Sequence, residues 1–107
     1  MLVVHMDSEH SEEWMSRLSP LIGNRAVTLN YSHQDRWDRG SLPVQLFELF
    51  GPHPIPESFR EHYLPAVVLF RGLRRPEKFT FGEGSKDREE KLERLRATLE
   101  LDHSRNQ

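Results

Sequence analysis

Apolar positions along this chain switch between two spacings, and the switches mark its elements. Leu2–Met6 is a short apolar run, β-branched in part, and reads as a buried strand. Asp7–His10 is polar and turns the chain. Ser8 or Ser11 can cap a helix whose first turn carries Glu12 and Glu13, the favourable charge at that end. Trp14, Leu18, Leu21 and Ile22 then stand at i, i+4, i+7 and i+8, one helical face. Pro20 inside this run should kink the helix or end its regular part, and Gly23-Asn24 is a stop signal. Ala26–Tyr31 alternates in part and predicts a second strand. Ser32–Gly40 is polar and turn-like. Leu42–Phe50 places Val44, Phe47 and Phe50 at three-residue spacing beside Leu46, which predicts a helix with Pro43 in its first turn.

The second half begins with Gly51-Pro52-His53-Pro54-Ile55-Pro56, whose prolines favour a stiff extended loop open to a polyproline-binding partner or serving as a spacer. Glu57–Tyr63 allows one or two helical turns. Ala66–Phe70 is continuously apolar, as a central strand covered on both faces would be. Arg71–Glu77 is a turn, and Lys78–Phe81 alternates so that Phe79 and Phe81 share a face. Gly82-Glu83-Gly84 ends that strand. Ser85 or Asp87 caps a last helix with Leu92, Leu95 and Leu99 as its apolar stripe and Glu90–Arg94 as a supporting pair. His103–Gln107 reads as a frayed tail.

The order is strand, helix, strand, helix, then strand, strand, helix. A strand–helix–strand start asks for a parallel pair, and the short turn after Phe70 permits an antiparallel hairpin. The fold class expected is therefore α/β, a mixed four-stranded central sheet with helices on both faces. With 107 residues the chain has room for one domain, placed at residues 1–102.

Composition narrows the functions. The apolar fraction is 36% and the charged fraction 30%, polar for a globular domain but far from a disordered one. A net charge of -2 and a pI near 6.3 give no global footprint for nucleic acid, and no apolar run is long enough to span a bilayer. Neither nucleic acid nor membrane is expected as a partner, and a cytoplasmic location is the default. The chain has no cysteine, which excludes disulfides, cysteine-ligated zinc and iron–sulfur clusters. Six histidines raise the question of a metal, but none forms an i,i+4 pair or an HExxH motif, so no metal or cofactor is expected.

Leu64-Pro65-Ala66-Val67-Val68-Leu69-Phe70, the following hairpin, and Phe81-Gly82-Glu83-Gly84-Ser85 before the last helix resemble the second half of a thioredoxin. The likeness covers about forty residues closely and the N-terminal half in pattern only. It implies the thioredoxin-like fold, with a cis peptide bond before Pro65. It also places Ser11 and Trp14 near the positions of the family's cysteine pair. Serine cannot replace a thiolate in disulfide exchange, so redox activity is excluded and no enzyme is expected. The resemblance instead implies a non-catalytic module, a chaperone or assembly factor of the kind encoded with hydrogenases, that binds an extended protein segment. Its groove would be lined by Ser11, Trp14, Leu64, Pro65 and Gly82, with the Leu64 backbone offering strand-like hydrogen bonds. Local readings compete with this one. Ser11 can be simply an N-cap, and Trp14 can be core. The alternatives for the whole chain are a cysteine-independent glutathione-binding or transferase-like domain and an oligomeric scaffold. Apart from the resemblance, Arg71, Arg74, Arg75 and Lys78 concentrate positive charge at the hairpin turn, as an electrostatic contact for a partner or as solvated surface.

Overall fold

The computed structural model describes residues 1–51 and 60–105. Four strands, β1 (Leu2–His5), β2 (Val27–Asn30), β3 (Ala66–Leu69) and β4 (Glu77–Thr80), form one mixed sheet in the order β2-β1-β3-β4. β1 and β2 are parallel, while β3 is antiparallel to both its neighbours. Leu2 pairs with Val27 on one side and Val68 on the other, and Ala66 pairs with Thr80. This register sends the chain after β1, after β2 and after β4 to the same end of the sheet, where β3 begins. The β3–β4 turn lies at the opposite end.

Strand alternation divides the core in two. Val3, Val67, Leu69 and Phe79 face Trp14, Leu18 and Ile22 of α1 (Glu9–Ile22) and Leu92, Leu95 and Leu99 of α4 (Arg88–Arg105). Leu2, Val4, Ala66 and Val68 face Val44 and Phe47 of α2 (Leu42–Phe50). A short helix α3 (Arg60–Tyr63) precedes β3. β1 and β3 are central and covered on both faces, which is why their residues form apolar runs without alternation.

The elements depart from the sequence pattern in four places. Pro20 does not end α1, which continues to Ile22. Its ring costs the helix one hydrogen bond on an exposed side close to the terminus, where that loss is tolerated. Gly23, at φ 50, ends the helix, where the Gly23-Asn24 stop signal puts its end. The polar stretch after β2 winds into 3₁₀ turns over Tyr31–Arg36. There the Trp37 indole N–H donates to Asn30 O at 2.9 Å and its ring packs edge-on against Tyr31 and Phe47. Of the two cap candidates Ser85 drops out, its Oγ standing 3.3 Å from His62 O and 3.0 Å from Thr80 Oγ1, and Asp87 directly precedes α4 with its O accepting from Lys91 N at 2.9 Å. Finally, Arg94 turns its guanidinium over the Phe79 ring, and α4 continues through Arg105, beyond the expected start of the tail. The proline-rich stretch 52–56 and residues 57–59 and 106–107 lie outside the described residues. The Leu64–Pro65 bond is cis.

Candidate binding site

Three segments converge where β1 and β4 end and β3 begins: the start of α1, the approach to Pro65, and the turn after Phe81. Ser8 caps α1, its Oγ accepting from Ser11 N at 3.1 Å. Ser11 is fully buried, and its Oγ accepts from the backbone N–H of Met6 at 3.1 Å. It satisfies a donor at the exit of β1 that would otherwise cost about 1–3 kcal/mol to leave unpaired. Trp14, only 6% exposed, stacks on Phe81 with ring centroids 5.4 Å apart. Its ring also lies under the guanidinium of Arg17 at 4.3 Å and near that of Arg88 at 5.7 Å. Leu64 and Pro65 are fully buried, and Pro65 O accepts from Phe81 N at 2.8 Å. Gly82 is buried against the backbone of His62 and Tyr63, where a Cβ would overlap the carbonyl of His62. Only glycine lets the two segments approach this closely.

The five residues expected to line a groove thus do meet in one corner. Their side chains, however, are drawn into the core rather than displayed. Trp14 and Leu64 are apolar and complete the two core layers, so neither is a surface anchor. Ser11 works inward on the backbone.

What the corner shows to solvent is a different set. His10 Nε2 stands 2.7 Å from Phe81 O. A carbonyl only accepts, so in this contact Nε2 is the donor, and Arg88 Nη1 lies 3.5 Å from the same nitrogen. Arg88 Nη1 donates to Gly82 O at 3.4 Å. Tyr63 is 46% exposed, and His62 is exposed beside it. Sequence spacing gives no reason to join residues 10, 62, 63 and 88. Beside the corner, Arg17 binds Glu89 through two hydrogen bonds of 2.7 and 2.6 Å, locking α1 to α4. That pairing holds the Glu89 carboxyl below its ordinary range.

A second polar cluster closes the ends of β1 and β2. Asp7 accepts from Asn30 Nδ2 at 2.9 Å and meets His33 Nε2 at 2.9 Å, while its N–H donates to Ser32 Oγ. The Asn30 hydrogen bond, helped by His33, keeps the Asp7 carboxyl low. Burial pushes the half-buried His5 imidazole below its usual pKa, against the pull of Asp7. Among the described residues, no group of histidine, aspartate and glutamate is arranged to hold a metal ion.

The basic hairpin lies at the far end of the sheet from this corner. Arg71 reaches Glu77 at 3.3 Å. Arg74, Arg75 and Lys78 are exposed. The two expected contact surfaces are therefore separate. No helix among the described residues is long and apolar enough to cross a membrane.

No protein-family model matches the chain, and no curated protein or solved structure matches it.

Proposed function

We propose that the protein is a redox-inactive, thioredoxin-like binding module, a chaperone or assembly factor, whose corner between the start of α1, Pro65 and Gly82 takes an extended segment of a protein partner. The observation that carries this reading is the convergence of those three segments at one end of a β2-β1-β3-β4 sheet with β3 reversed. The sequence resemblance over residues 63–101 points to the same corner. With no cysteine present, binding is not followed by disulfide exchange.

In this reading the backbone around Leu64 pairs with the extended segment. Tyr63 supplies the aromatic anchor, with its ring partly free and its hydroxyl able to bond. The His10 imidazole and the Arg88 guanidinium, 3.5 Å apart, offer polar contacts to the bound segment.

Panning a displayed library of unstructured peptides against the protein tests this. Amide shifts on adding a selected peptide should centre on residues 8–11, 62–65 and 81–85. Tyr63→Ala should weaken that peptide by on the order of 2 kcal/mol with an unchanged melting midpoint. Failure to recover any peptide, or shifts centred elsewhere, would remove the reading.

A further inference from the structure

We propose that the β3–β4 hairpin tip, with the adjoining end of α2, is a peripheral docking surface for an anionic lipid bilayer. This surface is independent of the corner described above and lies at the opposite end of the sheet.

The tip is built to project. Leu69 and Glu77 form the last pair of the β3–β4 ladder, so the chain between them extends beyond the sheet. Arg71 is held at its base by Glu77. Arg74 N bonds back to Arg71 O at 3.2 Å, closing a turn around Gly72, which sits at φ 62 with open space where a Cβ would be. Leu73 stands at the apex with a relative exposure of 108%, so nothing among the described residues covers it. Exposed apolar side chains continue on the same end of the molecule. Phe50, at the end of α2, packs on Phe70 with ring centroids 5.2 Å apart and remains 36% exposed, and its neighbour Leu49 is 72% exposed.

Charge surrounds these apolar groups. Arg74, Arg75 and Lys78 are exposed, and no ion pair neutralises them among the described residues. The opposite end of the sheet displays exposed Glu9, Glu12, Glu13 and Glu83. A chain of net charge -2 is thereby polarised along its strands, with the apolar groups at the cationic pole. Such a distribution orients the molecule tip-first towards an anionic surface. Leucine at the apex then enters the acyl boundary while the arginines and lysine stay among the headgroups.

A bilayer fits this chemistry better than nucleic acid or a folded protein. Phe50 and Phe70 pack edge-on against each other rather than side by side as a platform for successive bases. A single protruding leucine needs no preformed pocket in a fluid surface. A surface contact of this kind also needs no spanning helix.

The test is co-sedimentation of the whole chain with phosphatidylcholine vesicles, neutral or containing about one-third phosphatidylserine. The protein should partition onto the anionic vesicles and not the neutral ones, less so as salt rises. Each basic residue at the surface is worth about fivefold, so joint reversal of Arg74 and Arg75 to Glu should abolish binding. Leu73→Ser should lower partitioning about tenfold on anionic vesicles. Both variants change exposed side chains, and circular dichroism should show them folded. No preference for anionic vesicles, or reversal without effect, overturns the proposal. Equal binding of wild type and Leu73→Ser to the vesicles, matched by binding to heparin or RNA, also overturns it and leaves a general polyanion patch. Tyr63→Ala should leave vesicle binding unchanged, so the fate of this surface and that of the corner are read separately.

Discussion

The rings of Trp14 and Phe81 lie stacked, with centroids 5.4 Å apart and planes 21° apart. This contact joins the first turns of α1 to the segment leaving β4, two parts of the chain far apart in sequence. It sits directly beneath the candidate binding corner. The packing of α1 and the placement of the segment leaving β4 therefore share this aromatic pair.

Trp14→Ala should cost about 3–5 kcal/mol of stability, the range for emptying a large aromatic site in a core. Trp14→Phe, which keeps a ring on Phe81, should cost less. Urea denaturation measures both. A loss for the alanine variant within about 0.5 kcal/mol, as for a surface substitution, would show that the indole is not part of the packing.

Gly82→Ala places a methyl group into the His62–Tyr63 backbone and should destabilise by about 1–3 kcal/mol, as overpacking does. Amide resonances of residues 62–65 should shift with it. Gly84→Ala is the control. The three nearest neighbours of a Cβ there are His62 side-chain atoms, Nδ1 at 2.5 Å and Cβ at 2.9 Å among them, so the overlap falls on a side chain rather than on a backbone carbonyl and N–H. The Gly84 variant should therefore be the milder. If the two are equally stable, the close backbone approach at Gly82 is not what requires glycine there.

Stability should fall as pH is lowered from neutrality through the histidine range, and His5 should contribute. Its folded-state pKa lies below the ordinary 6.5 because burial disfavours the charged ring. Below 6.5 the unfolded chain takes up a proton that the folded one resists, so the stabilisation present above that pH is lost as pH falls through the folded pKa. His5→Gln should flatten this limb, seen as a smaller difference between urea midpoints measured above and below pH 6.5. An identical pH dependence in the variant would place the acid sensitivity elsewhere. Asp7 adds a second loss in the same direction at lower pH, as its depressed carboxyl becomes protonated.

The sequence alone determined the local elements and the fold class. The apolar run Ala66–Leu69, the helical spacing of Trp14, Leu18 and Ile22, and the leucine stripe Leu92–Leu99 each state a burial pattern within one segment. Hydrophobic burial is the main driving term, and its period is set by the local backbone, so these features are legible without a partner element. The cysteine-free composition likewise excludes disulfide exchange through thiols of this chain. Tertiary structure decided which residues meet and which remain outside. Ser8 rather than Ser11 became the cap because Ser11 Oγ is turned to the exit of β1. Trp37 has mostly polar neighbours in sequence, and its burial depends on Tyr31 and Phe47 reaching it from other segments. His10 on Phe81 O and Arg17 on Glu89 span 71 and 72 residues, and no spacing rule reaches that far. The corner's exposed groups and the hairpin's projecting leucine follow from strand order and register, which arise only when the whole sheet assembles.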